Sequence, residues 1–352
     1  MSKKTYDAVA LFSAGLDSLL AVKVIEAQGL TVKCLHFTSP FFGHPRRLGY
    51  WRRTYGLDLA AVDAGEEFVR MMLAGPRFGF GRFFNPCVDC KILMLTRARE
   101  LMERYGARFI VTGEVVGQRP MSQRQDSMNS VRNESGTRDV LLRPLCALRQ
   151  EPTPMETSGL VDRQRLLGFW GRGRTAQLEL ARDLGITDIP TPAGGCLLTE
   201  EPSAKRYAPI FAAVAEPPAA HFHLANVGRQ YWSGTHWLSI GRDKKSNDRL
   251  SELARPEDLV FVTQGYPGPL AVGRELAGPW DLGAVADAAA FVASFSPRAV
   301  AAGGPVTVAV RQGGAQRTVS VAPARTTPLG WSEPTWAQAA PVRDRMDPKN
   351  RP

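Results

Sequence analysis

Two cysteines at C-x-x-C spacing, Cys87 and Cys90 in "RFFNPCVDCKILM", are the first residues of this chain with evident chemistry. That spacing is half of a tetrahedral metal site or a redox pair, and alone it leaves both open. A third cysteine, Cys196, follows two glycines in "PTPAGGCLL", a turn-like and exposed approach. A structural zinc takes four ligands, and only His36 or His44 offers a fourth here. Thiolates suit iron–sulfur clusters as readily. Cys34 in "TVKCLHF" and Cys146 in "RPLCAL" lie in apolar runs and read as packing. A different chemistry is suggested by "LFSAGLDS". Small residues at Ser13, Ala14 and Gly15 let a backbone approach an anion, and a helix starting just after them adds free N–H groups and a positive dipole end. The loop lacks the Gly-Lys-Ser/Thr ending of a Walker loop and is not G-x-G-x-x-G, which argues against phosphoryl transfer on a loop lysine. The plain alternative is a helix start after a buried strand, with Asp17 and Ser18 as ordinary first-turn residues.

These residues need elements to hold them. "YDAVALF" reads as a buried strand, and "DSLLAVKVIEAQG" as a helix stopped by Gly29. "TVKCLHF" and "LDLAAVDA" are further strands, with a helix around Glu66 to Leu73. "VDCKILMLTRARELMERYG" is an amphipathic helix, with Asn85 as N-cap and Pro86 at its first position. A helix N-terminus favours thiolate at Cys87 and Cys90. "ARFIVTGE" and "DVLLRPL" complete the strands. The alternation predicts an α/β fold with a doubly wound parallel sheet. Ligands in such sheets sit beyond the carboxyl ends of strands, here Ser13 to Ser18, Phe37 to Pro40 and Gly113 to Gln118. After Glu200 the texture changes: a short helix around Tyr207 to Ala215, then the β-like runs "HWLSIG", "LVFVTQG", "PLAVGR", "PVTVAVR" and "RTVSVAP". The expected division is residues 1–200, a linker at 201–219, a smaller α+β domain at 220–335 and a frayed tail at 336–352.

The 352 residues suffice for two domains. Lys and Arg outnumber Asp and Glu 44 to 34, a net charge of +10 that favours a polyanionic partner, nucleic acid first. No secretory signal or membrane span is visible, so a cytoplasmic protein without structural disulfides is expected.

Ser13 to Ser18, S-A-G-L-D-S, resembles the PP-loop, S-G-G-x-D-S, of the ATP pyrophosphatase family. Ala14 stands where that motif has its first glycine, and needs backbone angles that a Cβ tolerates. "VTGEVVGQRPMSQ" resembles the T-G-[DE]-x-x-G-Q-x-x-S-Q segment of bacterial 4-thiouridine synthases, with one extra residue. "LLRPLCAL", "GLVDRQRLLGFWGRGRTAQLELARDLGI" and "TPAGGCLLTEE" extend the likeness over about Tyr6 to Thr199. The resemblance implies an adenine nucleotide α-hydrolase-like fold that binds ATP and Mg²⁺. Ser13, Ala14, Gly15, Leu16, Asp17 and Ser18 would hold pyrophosphate, and Asp17 would organise it or the metal. Phe37, Gly113, Glu114 and Gln118 would complete the nucleotide site. Cys87, Cys90 and Cys196 would handle sulfur, either by holding a [4Fe-4S] cluster or by cycling through a persulfide and a disulfide.

The implied activity is a tRNA sulfurtransferase that adenylates a uridine carbonyl and replaces its oxygen with sulfur. The sulfur would come from a donor such as a cysteine desulfurase or free sulfide, and a homodimer is compatible. The better-known 4-thiouridine synthases carry an RNA-binding THUMP module and, in some, a rhodanese-like sulfur carrier. Neither is seen here, so RNA binding and sulfur supply are expected to differ. Two other readings stay open: a PP-loop ligase or amidotransferase acting on another acceptor, and a non-catalytic RNA-binding protein with a vestigial nucleotide fold.

In the second domain, "IGRDKKSNDRLSELARPEDLVFV" and "GYPGPLAV" resemble the RNA-binding module of the NFACT ribosome-quality-control proteins. A strand, a polar turn "DKKSN" and a short helix "DRLSELA" are expected. The resemblance implies phosphate contacts from Arg242, Lys244, Lys245 and Arg249, with Tyr266 or Trp237 stacking on bases.

Overall fold

The computed structural model describes residues 4–190 and 195–350. Thr191 to Gly194, most of the glycine-rich approach to Cys196, lie outside the described residues.

One unit comprises the chain up to Thr199 together with residues 347–350. Its strands are β1 (Ala8–Leu11), β2 (Val32–Thr38), β3 (Leu59–Asp63), β4 (Phe109–Thr112) and the two-residue β5 (Leu141–Leu142). Its helices are α1 (Leu16–Glu26), α2 (Leu48–Tyr55), α3 (Gly65–Ala74), α4 (Cys87–Arg104), α5 (Gln125–Glu134), α6 (Pro154–Thr157) and α7 (Thr175–Asp183). The sheet is parallel throughout, in the order β3-β2-β1-β4-β5. The chain winds outward from β1 through β2 and β3, then restarts on the other side with β4.

Successive strand residues enter opposite cores, as a two-residue period requires. Ala8, Ala10, Phe12 and Val111 pack with Leu16, Leu19 and Leu20 of α1. Val9, Leu35 and Ile110 pack with Val88, Leu95 and Ala98 of α4. A sheet covered on both faces is the doubly wound arrangement expected. Its order reverses between β1 and β4, and the crevice beyond their carboxyl ends is where such folds place ligands.

The second unit runs from Glu200 to Met346. It contains α8 (Glu201–Ala213), α9 (Ala219–Ala225), β6 (Arg229–Ser233), β7 (His236–Ile240), α10 (Lys244–Leu253), β8 (Leu259–Thr263), β9 (Leu270–Glu275), α11 (Leu282–Ala293), α12 (Pro297–Ala301), β10 (Val306–Gln312), β11 (Ala315–Val321) and α13 (Trp336–Met346). The strands form an antiparallel sheet ordered β11-β10-β8-β9-β7-β6. Phe261, Val308 and Val310 pack there against Val285, Ala289 and Val292 of α11.

Two expectations at the edges of this unit need correction. Most of residues 201–219 is not linker: α8 buries Ala204, Tyr207, Ala208 and Ile210, and Tyr207 meets Phe222 of α9 edge-on at 5.8 Å. Much of 336–352 is not a frayed tail: α13 buries Ala339 and Val342 and packs on α8. Both helices present narrow stripes rich in alanine, which give a weak periodic signal. No helix among the described residues is long and apolar enough to cross a membrane.

Candidate active site

Between β1 and α1 the chain turns through Ser13, Ala14 and Gly15. Ser18 Oγ donates to Gly15 O at 2.8 Å and accepts from Ser13 N–H at 3.2 Å. These bonds close the loop onto itself. Ala14 has φ = +66°, in the left-handed region where a Cβ is crowded. Gly15 precedes α1 with no side-chain cap, so the first-turn N–H groups face the crevice without one.

Asp17 lies in that first turn. Gln118 Nε2 donates to its Oδ2 at 3.1 Å. Its Oδ1 is buried and has no hydrogen-bond partner among the described residues. Burial raises the Asp17 carboxyl above its usual range, against the Gln118 bond and the charges of Arg174 and Arg119. An orphaned buried carboxylate oxygen beside an open helix start suits a hard cation such as Mg²⁺ bound through phosphates.

The loop after β4 is built differently. A Cβ on Gly113 would lie 2.4 Å from Asp17 O and 2.6 Å from Ser18 N, so only glycine lets β4 pass so close under α1. Glu114 is buried between two cations. Lys91 Nζ and Arg143 Nε donate to its two oxygens, the latter at 2.9 Å, and Thr112 Oγ1 adds a bond at 3.2 Å. Burial alone would lift this carboxyl, but Lys91 and Arg143 outweigh it and hold it down to about 2. Glu114 is thus the centre of a structural network, with both oxygens engaged by protein groups. Gln118 reaches Asp17.

The three cysteines face the same space. A cavity of about 430 Å³ is lined by Ser13, Asp17, Phe37, Cys87, Cys90 and Cys196, among others. Cys196 is brought across by the following residues: Leu197 N–H donates to Phe41 O at 2.9 Å, and Thr199 Oγ1 to Cys196 O at 2.7 Å. None of the five cysteines is joined in a disulfide among the described residues. Cys34 and Cys146 are buried, as expected of packing residues.

Two expectations about this region fail. Asn85 is not the N-cap of α4; Pro86 holds that place, and Asn85 Oδ1 instead accepts the Cys87 thiol at 2.8 Å. Cys90 is not a ready thiolate. Desolvation pushes it well above its usual value, and Cys196 and Cys87 add to the rise.

Three thiols on one cavity match a three-cysteine cluster in kind. The described residues nevertheless contain no group of three Cys, His, Asp or Glu side chains gathered as metal ligands. His36 is also committed: its ring pairs with Phe12 O at 2.9 Å, and its Nε2 accepts the His44 N–H at 2.9 Å. The described residues therefore lend the cluster no support.

Arg119, Arg172 and Arg174 also line the cavity, cations that lie outside the motifs picked out by residue type. The doubled arginine of "GRGRT", just before α7, was the available signal.

In the second unit, "GRDKKSN" is a helix start and not a turn. Asp243 caps α10 by accepting Ser246 N–H at 2.8 Å. Asn247 Oδ1 accepts Leu270 N–H at 3.1 Å, and a Cβ on Gly241 would meet that same oxygen. Leu250 is fully buried. Arg242, Lys244 and Lys245 are exposed, whereas Arg249 is half-buried and paired with Glu252 at 2.6 Å. Trp237 cannot stack on a base: it is wholly buried, lies flat on Trp232 at 5.1 Å, and donates to Gln230 Oε1 at 2.8 Å.

No family model matches the chain, and no curated protein matches it. Solved structures similar to parts of it include the C-terminal part of the fibronectin/fibrinogen-binding protein of Streptococcus suis, 18% identical with a TM-score of 0.25 over 50% of this chain and 80% of that one. Another is a predicted tRNA methyltransferase subunit from Methanocaldococcus jannaschii, 14% identical, TM-score 0.32, over 50% and 75%. A third is NMN synthetase from Francisella tularensis, 13% identical, TM-score 0.33, over 52% and 63%, so the chain spans under two thirds of that enzyme. These are partial likenesses at low identity. The class that the fold itself defines is a doubly wound α/β protein with an appended antiparallel α+β unit.

Proposed function

We propose that this protein is an ATP-dependent tRNA sulfurtransferase that makes a thiouridine. The observation carrying this reading is one cavity that joins the open start of α1, with its orphaned Asp17 oxygen, to Cys87, Cys90 and Cys196. A nucleotide loop needs no thiols and a redox pair needs no nucleotide loop; a reaction that activates an oxygen and then replaces it with sulfur needs both.

In this reading ATP lays its phosphates on Ser13 to Ser18. Asp17 would hold Mg²⁺, which neutralises departing pyrophosphate when bound. The uridine carbonyl oxygen attacks the α-phosphorus, and the bond to pyrophosphate breaks. The terminal sulfur of a persulfide on Cys196, loaded by a sulfane-sulfur donor, then attacks the activated carbon, and AMP leaves with the former carbonyl oxygen. The Cys87 thiolate attacks Cys196 Sγ, releasing the thiouridine sulfur with the electron pair and leaving a Cys87–Cys196 disulfide for an external thiol to reduce. Cys87 suits that role better than the desolvated Cys90. The basic turn at Arg242, Lys244 and Lys245 would hold tRNA by its backbone.

The test is nucleoside mass spectrometry of tRNA incubated with the protein, ATP, Mg²⁺ and a persulfide donor, beside Cys196→Ser. The reading expects a new thiouridine and AMP with wild type, and with the variant pyrophosphate and an adenylated uridine, AMP appearing only as water hydrolyses it, but no thiolation. Equal thiouridine from both would remove Cys196 from the sulfur step, and pyrophosphate release with no thiouridine from either would favour a ligase acting on another acceptor. Iron bound in stoichiometric amount after anaerobic purification would return sulfur handling to a cluster.

A further inference from the structure

Trp170 is 62% exposed, an unusual position for so large an apolar side chain. Its backbone is not loose. Gly171 N–H donates to Val116 O at 2.8 Å, Phe169 N–H to Leu145 O at 2.8 Å and Leu167 N–H to Pro144 O at 2.9 Å. Across from this strap Gly117 has φ = +80°, and a Cβ there would lie 3.7 Å from the Trp170 ring. A pinned segment thus holds a bare indole beside the loop that carries Gln118 and Arg119.

The chain continues directly into Arg172 and Arg174, which line the cavity with Arg119. The charges of Arg174 and Arg119 act on Asp17 across the cavity, and among the described residues none of the three guanidinium groups is within salt-bridge distance of a carboxylate. An open aromatic face next to unpaired arginines is how proteins hold single strands: a base stacks and neighbouring phosphates meet the cations. Arg149 and Arg172 are exposed as well, a positive charge that suits a phosphate backbone.

We propose that Trp170, with Arg172 and Arg174, is a stacking platform for one base of a single-stranded nucleic acid, placing an adjoining nucleotide at the cavity mouth. The inference rests on the sulfurtransferase reading for the claim that the acceptor is RNA; the shared chemistry is that of any single strand.

The test is fluorescence anisotropy of the full chain with labelled 12-mers of oligouridylate and oligodeoxythymidylate. Trp170→Ala should weaken binding about tenfold and Trp170→Phe much less. The dependence of log Kd on log salt should be unchanged in Trp170→Ala. It should fall by about 0.7 for each of Arg172→Ala and Arg174→Ala. Preference for the ribose strand identifies RNA as the ligand, and equal affinity leaves the platform general. Trp170→Ala binding both strands within twofold of wild type overturns the proposal, whether or not the variant loses a protein partner. ATP affinity, measured in parallel, should be the same in Trp170→Ala. ATP binding without strand binding in wild type defeats this inference alone. Strand binding that depends on Trp170 without ATP binding defeats the sulfurtransferase reading alone.

Discussion

Two turns meet under the first helix, and they are built on opposite plans. The Ser13–Ser18 turn has an uncapped helix start, a left-handed alanine and a buried carboxylate oxygen with no partner among the described residues. The turn after β4 carries a more deeply buried acid, Glu114, whose oxygens are taken by Lys91, Arg143 and Thr112. Both looked like ligand-binding loops by residue type. Polar groups left open mark where a ligand completes the structure; polar groups closed by protein mark scaffold. The same contrast separates α1 from α10, whose start is closed by Asp243.

The largest test of the contrast is Glu114→Ala. It strands two cations, one of them on the almost fully buried Arg143, and should cost about 3–5 kcal/mol in urea unfolding. The pH dependence has a definite sign. Because the folded pKa of Glu114 is lowered to about 2 from 4.5, its contribution is complete above about pH 4.5 and is lost as pH falls towards 2. Glu114→Gln should flatten the stability curve across that window. An unchanged curve would mean that the network is not what holds this loop.

Asp17→Asn should behave in the reverse way. Its carboxyl is raised by burial, so removing the charge should leave stability unchanged or improved at neutral pH. Affinity for ATP with Mg²⁺ should fall by about 10- to 150-fold, the loss of one charge-assisted contact of about 1.5–3 kcal/mol. Isothermal titration with and without Mg²⁺ decides it: an equal loss in both would remove Asp17 from the metal. Gly113→Ala strikes where the two turns touch. Its Cβ would collide with backbone, which has no flexible end to give way. The expected penalty is about 1–3 kcal/mol, with ATP affinity reduced as the first turn of α1 shifts.

Much of this was legible in residue order. Strongly apolar runs such as "DAVALF" and "VKCLHF" can only be buried strands, and the long period of α4 fixes the helix after the C-x-x-C. The open turn was legible because small residues and a helix start are local features. The closed turn was not, because Lys91, Glu114 and Arg143 come from three separate segments. One short element with little to bury escaped for a related reason: α5 buries only Met128 and Val131. The role of "GRDKKSNDRL" was half-legible. Asp243, Asn247 and Leu250 turn out to cap, brace and anchor α10, which leaves the exposed Arg242 as the position with no structural duty.

The smallest expected effect concerns Ala14. At φ = +66° an L-residue with a Cβ is disfavoured by about 1–2 kcal/mol, whereas glycine adopts that angle freely. Glycine also loses about 0.5–1 kcal/mol more backbone entropy on folding. The difference leaves Ala14→Gly more stable by about 0.5–1 kcal/mol, readable as a shift in urea midpoint at constant slope. The affinity for ATP discriminates further. Unchanged affinity would mean that the alanine is a tolerated strain in a loop whose open groups alone bind the anion. A fall in affinity despite the gain in stability would mean that the Cβ helps fix the turn in its binding form, and that strain belongs to the open plan along with the uncapped helix and the orphaned oxygen.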